Sequence, residues 1–153
     1  MGQSISRAVV DAFYKAYSEH DTDAVAQFLD DDVQWTISGP VDILPFCGTC
    51  RGKAAVLDLI GRQVPEVLRM TSIKHDMVLV NGDRVATLNR LWARRADDGR
   101  VISYRLAHFM RFRDGKVAVH LSLIDSFDAA EQVLGHPLDG HNGFKTGGDK
   151  IAV

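Results

Sequence analysis

The stretch that decides the fold is Val101–Ile124, which reads VISYRLAHFMRFRDGKVAVHLSLI. Apolar and polar side chains alternate along both halves of this stretch, as is typical of β-strands with one buried face. The tripeptide Arg113-Asp114-Gly115 separates the two halves and has the composition of a hairpin turn. The stretch therefore predicts two long antiparallel strands that turn one apolar face towards the core.

Further strands are predicted on the N-terminal side of this hairpin. Two alternating segments, residues 73–80 and 84–94, flank the pair Asn81-Gly82, which is a strong signal for a tight turn. The shorter segment 33–37 also alternates like a strand. Residues 39–52 are rich in glycine and proline, and they are predicted to form a loop.

Two helices are predicted near the N-terminus. Apolar residues recur at helical spacing over residues 5–17, and Ser4 or Ser6 is suited to cap this helix. A second helix follows, for which Asp21 stands in the N-cap position, where a carboxylate can accept the free amide hydrogens of the first turn. The chain is therefore expected to enter the sheet only after two helical segments.

Two more helical patterns lie further along the chain. The pattern over residues 56–64 should end or kink at Pro65, because proline has no amide hydrogen to donate. The pattern over residues 126–134 has Asp125 in the N-cap position and Gly135 in the position that ends a helix. Helices first and strands later, joined by hairpin-length connections, predict an α+β fold with an antiparallel sheet.

The composition is that of an ordinary globular domain. The 153 residues are 46% hydrophobic and 25% charged, and the formal net charge is −2. A chain of this size fits one core, and its mixed, nearly balanced charge predicts no nucleic-acid partner and no membrane partner. Two cysteines without a disulfide framework indicate a cytoplasmic location. We expect one domain over residues 1–135 and a tail over residues 136–153, for which packing on a partner subunit is one option.

Four landmarks follow one another in a fixed order. They are FYKAYSEHDTDAV at 13–25 with LDDDVQW at 29–35, GTCRGKAAV at 48–56, FMRFRDGKV at 109–117, and LID at 123–125 with AEQVLG at 130–135. In this order they resemble the SnoaL-like, or ketosteroid-isomerase-like, branch of the nuclear-transport-factor superfamily, over roughly residues 9–135. The resemblance implies a cone-shaped fold. A strongly bent, antiparallel or mixed sheet would wrap around the N-terminal helices and enclose one apolar pocket.

The resemblance also indicates a range of functions. The superfamily contains isomerases, polyketide cyclases, epoxide hydrolases, dehydratases and binding proteins without catalysis, so the fold alone selects no reaction. The resemblance implies a protein that takes up a small molecule. The first hypothesis is a cofactor-independent enzyme of the isomerase, cyclase or hydratase type that acts on an apolar carbonyl-bearing ligand. The alternative is a non-catalytic binding protein for a lipid-like or aromatic molecule. We expect that the protein uses no cofactor and that it forms a homodimer.

His108 is the main candidate for chemistry. By the two-residue period of its strand it shares the inward face with apolar neighbours, and His108 is therefore predicted to point into the pocket. In the resembling isomerases this position holds an acidic residue that donates a hydrogen bond to a developing oxyanion. A histidine could donate in the same way or act as a general acid or base, since its reference pKa lies near neutrality. The alternative is a core histidine bonded to a neighbour.

His120 is the predicted partner of His108. If Gly115 is a bulge residue in a three-residue turn, His120 lies directly opposite His108 on one face, and we favour this register. A strict two-residue turn would instead turn His120 away. Two facing histidines could share a proton, but two ligands make a poor metal site. No metal is therefore expected.

Two other residues complete the predicted catalytic set. Tyr14 lies on the apolar face of the first helix, where the resembling isomerases have a tyrosine that donates to the substrate oxygen; core packing is the alternative. Asp125 could orient a histidine or a water, or it could simply cap the helix that follows. The sequence also departs from the family, because residues 36–38 read TIS and lack the aspartate that shuttles the proton in such isomerases. The carboxylate arrangement of limonene-epoxide-type hydrolases is not evident either, since Leu106 stands two residues before His108.

Two surfaces are predicted from the alternation of the strands and the apolar face of the first helix, with core packing as the alternative for Trp35. The predicted ligand-binding residues are Trp35, Tyr17, Tyr104, Leu106, Met110, Ser122 and Ile124. The opposite face of the strand around His108 carries Arg105, Ala107, Phe109 and Arg111. This outward set mixes charge with apolar area, as association surfaces often do. A third hypothesis is therefore an interaction or accessory domain that uses this face for dimerisation or for another partner.

Overall fold

The computed structural model describes residues 3–138, so most of the tail predicted over 136–153 lies outside the described residues. The elements are α1 Arg7–Ser18, α2 Thr22–Gln27, β1 Leu29–Ser38, β2 Gly48–Arg51, α3 Lys53–Asp58, a π-helix Leu59–Gln63, α4 Val64–Val67, β3 Leu68–Asn81, β4 Arg84–Arg95, β5 Val101–Arg113, β6 Lys116–Ile124 and α5 Ser126–Leu134. Within residues 3–138, no helix has the length and apolar character to cross a membrane.

The six strands form one curled, open sheet in the order β2-β1-β6-β5-β4-β3. β1 runs parallel to β6, whereas every other neighbouring pair is antiparallel. The predicted α+β class, with a bent mixed sheet around N-terminal helices, is confirmed. β6 reaches β1 because the chain crosses from β2 to β3 at the opposite edge of the sheet and then returns through three hairpins.

The core lies between the inner face of the sheet and α1. Every second residue of β5 is buried, from Ile102 to Phe112, as the alternation predicts. On α1 the buried side chains include Val10 and Phe13, and the Phe13 ring lies 6.5 Å from the Trp35 ring on β1. The same face of α1 also presents polar groups to the sheet, and this brings the candidate site together.

Helix caps show how well local sequence signals work here. Ser6 accepts a hydrogen bond from the amide of Val9 at 3.3 Å, and Asp21 accepts one from the amide of Ala24 at 3.0 Å. Both N-cap predictions are therefore confirmed. Gly135 ends α5 in the left-handed conformation, with φ of 81°. The boundary predicted at residue 135 coincides with this helix end.

Residues 39–67 depart from the prediction in two places. The segment predicted as a loop contains β2, whose four residues pair with β1 from Gln34 to Ile37. A strand this short shows no alternation that could reveal it. The helical segment also continues through Pro65, because a π-helix precedes it and Pro65 lies in the first turn of α4, where a missing amide hydrogen is tolerated.

The favoured turn between β5 and β6 is also wrong. Arg113 pairs with Lys116, so the turn has two residues, Asp114 and Gly115, with φ of 51° and 75°. Positive φ at both positions is what a two-residue type I′ hairpin requires. The bulge lies instead within β6 at Ala118, which is left over because the register shifts between Arg111 and Phe112 on β5.

Candidate functional site

A small, mostly apolar cavity lies on the inner side of the sheet. Its volume is about 50 Å³, which is enough for a few water molecules. Of the residues predicted to bind ligand, five line it: Tyr17, Tyr104, Leu106, Ser122 and Ile124. The sequence did not indicate that Phe46 and Ile60, from the β1–β2 loop and the π-helix, would complete the wall.

The outer end of the cavity is bordered by His20, whose side chain is exposed. Its Nε2 lies 2.7 Å from the carbonyl oxygen of Met70 at the start of β3. His20 has a positive φ of 56°, and the left-handed region is uncommon for residues other than glycine. Pro65 and Val64 of α4 also line the cavity. The cavity therefore reaches the surface between the end of α1 and the start of β3.

The other two predicted ligand-binding residues lie elsewhere. Trp35 and Met110 are 1% and 3% exposed, and neither lines the cavity. Trp35 instead stacks on His120, with ring centroids 3.6 Å apart and an interplanar angle of 4°. Met110 pairs with His120 across β5 and β6. Both residues are thus neighbours of His120.

His108 and His120 lie side by side in the core. They are 2% and 1% exposed, and their ring centroids are 4.6 Å apart. The predicted direct pairing is wrong, because the Ala118 bulge places Ser122 opposite His108. The same bulge keeps His120 on the inner face, so the two imidazoles meet diagonally rather than face to face.

His108 is held by a chain of hydrogen bonds from α1 and β4. Its Nδ1 lies 2.7 Å from the Tyr14 hydroxyl, which is also 2.7 Å from Oγ1 of Thr87. Asn89 donates from Nδ2 to the same Thr87 oxygen at 2.8 Å, and its Oδ1 lies 2.6 Å from Nδ1 of His75. Four of these five side chains are buried and His75 is half-buried, so the chain runs from the edge of the core to its centre.

His120 has no such support. Neither of its ring nitrogens has a hydrogen-bond partner among residues 3–138. Buried polar groups are normally paired, so an orphaned imidazole is unusual. Burial, and then the neighbouring His108, hold the pKa of His120 well below its usual range. Burial, and then His75, lower the pKa of His108 to about 3. Both imidazoles are therefore neutral near pH 7, each with one N–H donor and one acceptor nitrogen.

The histidine pair lies one layer behind the cavity. Leu106 and Ser122 line the cavity; Leu106 is two residues along β5 from His108 on the same face, and Ser122 pairs with His108. The Tyr17 ring, also in the lining, is 6.5 Å from the His108 ring. His108 itself lies outside the lining, contrary to the expectation that it points into the pocket. Tyr17 and Leu106 thus line the cavity and also neighbour His108.

Asp125 does not join this cluster. Its backbone amide donates to the carbonyl oxygen of Arg105 at 2.9 Å. Its side chain stands before α5 but makes no capping hydrogen bond. In the part of the chain from residue 3 to residue 138, no three metal-ligating side chains come together. The chemistry of the cluster is therefore that of imidazole and hydroxyl groups.

Three members of the cluster were not predicted: His75, Thr87 and Asn89. Thr87 and Asn89 are 3% and 0% exposed, and they alternate inward along β4 between apolar positions. Polar residues at inward positions of a strand were the available signal. Thr87 pairs with His108 across β4 and β5, and His75 pairs with Asn89 across β3 and β4. Only the strand register reveals these two neighbours.

A curled open sheet around an N-terminal helix, with a polar cluster on its inner face, defines an NTF2-like domain. The family described as the SnoaL-like domain matches residues 10–120. The chain therefore belongs to the SnoaL-like family.

Solved structures agree with this assignment. The chain is similar to a candidate isomerase from Rhodopseudomonas palustris, with 33% identity, a TM-score of 0.74 and coverage of 83% of this chain and 93% of that one. An NTF2-like protein of unknown function from Burkholderia pseudomallei has 25% identity and a TM-score of 0.72, with coverage of 83% and 93%. An LEH-like epoxide hydrolase from M. tuberculosis, at 19% identity and a TM-score of 0.67 over 84% and 88%, shares the fold. No curated protein matches.

Proposed function

We propose that the chain is a cofactor-independent enzyme of the isomerase, cyclase or hydratase type that transfers a proton on an apolar ligand bearing a carbonyl group. The observation that carries this proposal is the buried histidine pair behind an apolar cavity, in which neither nitrogen of His120 has a partner among residues 3–138. An unsatisfied buried polar group costs about 1–3 kcal/mol. A ligand that reaches the pair would supply the missing partner.

Ligand entry requires the cavity to widen. Its volume of about 50 Å³ is well below the roughly 300–1,000 Å³ of sites for drug-sized ligands. Tyr17 is half-buried and lines the cavity, and its ring lies 6.5 Å from the His108 ring. Burial raises the pKa of Tyr17 to about 12. Its hydroxyl therefore stays neutral and can donate a hydrogen bond to the ligand carbonyl. Movement of Tyr17 would join the cavity to the histidine pair.

Two neutral imidazoles can divide the work of proton transfer. One donates a hydrogen bond to the carbonyl oxygen, and the other accepts a proton from the adjacent carbon. As the C–H bond breaks, its electron pair moves into the new carbon–carbon double bond and the oxygen becomes negative. The imidazole donor stabilises this oxygen in a site without bulk water. The proton then returns to the ligand from the second imidazole.

The cavity wall supports a role for histidine rather than carboxylate. No aspartate or glutamate lines the cavity within the described range. At the position where the resembling isomerases have their aspartate, Thr36 bonds to Thr49 at 2.8 Å and Ile37 contributes an apolar wall. Acid–base chemistry at this cavity therefore falls to the imidazoles.

The direct test is hydrogen–deuterium exchange at the carbon next to a ketone, followed by NMR in heavy water with acetylnaphthalene as the probe. We expect exchange above the buffer rate, reduced about a hundredfold or more in His120→Phe. Ethylnaphthalene, which has the same rings but no carbonyl group, is the control for binding and should bind more weakly. Binding of acetylnaphthalene without exchange would contradict the enzymatic proposal. Native mass spectrometry of gently purified protein, searched for a retained small molecule, would then identify the natural ligand.

The second candidate function is binding without catalysis. The observation that favours it is that burial lowers the pKa of both histidines, which makes them weak bases. In that case His120 would hold a ligand oxygen by a hydrogen bond and transfer no proton. The same experiment separates the two functions, because a pure binder should bind acetylnaphthalene and leave its hydrogens unexchanged.

We also propose a homodimer formed through the outer face of the sheet. Four large apolar side chains on this face are 43–57% exposed: Met77, Leu79, Phe109 and Leu123. Contiguous exposed apolar area often marks an association site, and an isologous interface would let the same patch serve both subunits. Sedimentation should give a dimer at micromolar concentration, and Phe109→Lys should shift it towards monomer. A monomeric wild-type protein would contradict this proposal.

A further inference from the structure

The amide group of Asn89 gives the hydrogen-bond chain a direction. Its carbonyl oxygen can only accept, so Nδ1 of His75 must donate to it across the 2.6 Å contact. Its NH₂ group can only donate, and it donates to Oγ1 of Thr87. The hydroxyl hydrogen of Thr87 is then available for the oxygen of Tyr14. The hydroxyl hydrogen of Tyr14 remains for Nδ1 of His108, 2.7 Å away.

The reverse direction of the two hydrogen bonds from Thr87 to Tyr14 and from Tyr14 to His108 is less favourable. If His108 donated to Tyr14, the Tyr14 hydroxyl would have to donate to Thr87. The Thr87 oxygen would then accept twice, and its own hydrogen would have no partner in the chain. A phenol is also a stronger donor than a neutral imidazole N–H, and an imidazole nitrogen is the stronger acceptor. The bond from Tyr14 to His108 is therefore the favoured one.

We propose that His75 is a positioning residue: the chain of hydrogen bonds that it starts holds His108 as the neutral tautomer with its hydrogen on Nε2. His108 then presents an N–H donor to a ligand and no free basic nitrogen, because Tyr14 occupies Nδ1. Tyr14 is likewise committed to His108 and does not donate to the ligand.

This inference rests on the proposed function and deepens it. The ligand must present a hydrogen-bond acceptor, such as a carbonyl oxygen, to Nε2 of His108. The proton acceptor is then His120, whose two nitrogens are bound by no side chain or backbone group in residues 3–138. The two histidines thus have different tasks, which their different hydrogen-bonding fixes before any ligand arrives.

The tautomer can be measured in the free protein by nitrogen NMR of histidine labelled with ¹⁵N, with His108→Gln used to assign the signals. We expect Nε2 of His108 to show the chemical shift of a protonated ring nitrogen and Nδ1 that of a hydrogen-bonded acceptor. A hydrogen on Nδ1 would overturn the proposal. Because no ligand is present, this result is independent of the exchange experiment with acetylnaphthalene, and either proposal can fail alone.

Two substitutions test whether His75 sets the tautomer. His75→Phe keeps an aromatic ring against Tyr14, where the ring centroids are now 4.3 Å apart, but it removes the donor. The Asn89 amide can then turn over and the chain can reverse, so we expect the ratio of Nε2–H to Nδ1–H tautomers to fall by about tenfold. His75→Gln restores an N–H donor and should keep the wild-type ratio.

A folded His75→Phe variant with the wild-type tautomer ratio would show that His75 does not position His108. Circular dichroism and the thermal unfolding midpoint verify that the variant is folded. Thr87→Val is the second variant, because it removes the middle hydroxyl of the chain while the side chain keeps its shape. It should lower the same tautomer ratio, and an unchanged ratio in folded Thr87→Val would also overturn the proposal.

Discussion

The two buried histidines are neighbours in very different surroundings. His108 is tied by Tyr14 to a chain of bonded polar groups, whereas His120 is held by flat stacking on Trp35 and its ring nitrogens are unpartnered within residues 3–138. Their rings are only 4.6 Å apart. The protein itself fixes the first imidazole, while the second is kept in place by packing and leaves its polar atoms for something else.

This difference separates the tasks of stability and function. An imidazole with a hydrogen-bond partner on one nitrogen, such as His108, costs the fold less than one with no partner among residues 3–138, such as His120. Proteins commonly accept such a cost at functional sites. His120 is therefore the group of the two that function requires.

Acid should have the largest effect. Both folded-state pKa values lie below the ordinary value of 6.5, so the unfolded chain binds protons that the folded one does not. Stability is therefore complete above pH 6.5 and is lost as the pH falls from there. Below pH 6.5 each histidine should remove up to about 1.4 kcal/mol per pH unit until its folded-state pKa is reached. Urea unfolding at a series of pH values measures it.

The control for this effect is His120→Phe, which should reduce the slope by about half, because one of the two titrating imidazoles is gone. The upper part of the window from pH 6.5 to 4.5 lies well above the ordinary carboxyl pKa values of about 3.9 and 4.3, so that the slope between pH 6.5 and 5.5 reports chiefly on imidazoles. A stability that does not change between pH 6.5 and 4.5 would mean that the histidines are not buried as neutral groups.

Loss of the stacking partner should have the next largest effect. Trp35→Ala removes a 1% exposed ring that contacts His120 as well as α1, and we expect it to lower the free energy of unfolding by about 3–5 kcal/mol. Trp92 is the other tryptophan, it is half-buried, and Trp92→Ala should cost clearly less. Equal losses in the two variants would contradict a special packing role for Trp35.

A matched pair of substitutions compares the histidines directly. His120→Phe keeps a ring on Trp35 and removes two nitrogens that have no partner in the described part of the chain, residues 3–138. His108→Phe instead leaves the hydroxyl of Tyr14 without its acceptor. Both changes add the same volume, so the difference between them isolates the polar effect. We expect His108→Phe to be less stable than His120→Phe by about 2 kcal/mol, from urea unfolding. The reverse order would refute the comparison.

The sequence predicts the frame of this site better than its contacts. Strand alternation places His108 and Ser122 on the inner face, and caps such as Ser6 mark helix starts, because both signals are local. The bond between Tyr14 and His108 joins residues 94 positions apart. No local pattern encodes such a contact, since it depends on where α1 lies on the sheet.

The strand register is the second feature that the sequence did not predict. A two-residue turn and a bulge at Ala118 together decide which residue faces His108, and a bulge at an alanine leaves no signature in the sequence. One residue of slip would have turned His120 out of the core. The inward polar residues of β4 were visible in the sequence, but their link to His108 needed the register that places Thr87 beside it.

The smallest expected effect concerns Asp125, which tests whether the histidine pair is complete without a carboxylate. Asp125 makes no side-chain capping bond, and its backbone amide is what bonds to Arg105. Asp125→Asn should therefore change the free energy of unfolding by less than about 0.5 kcal/mol and leave the tautomer of His108 unaltered in nitrogen NMR. If the substitution shifted that tautomer, Asp125 would act on the histidine through a path outside the bonded chain. The two imidazoles could then no longer be explained by their immediate neighbours alone.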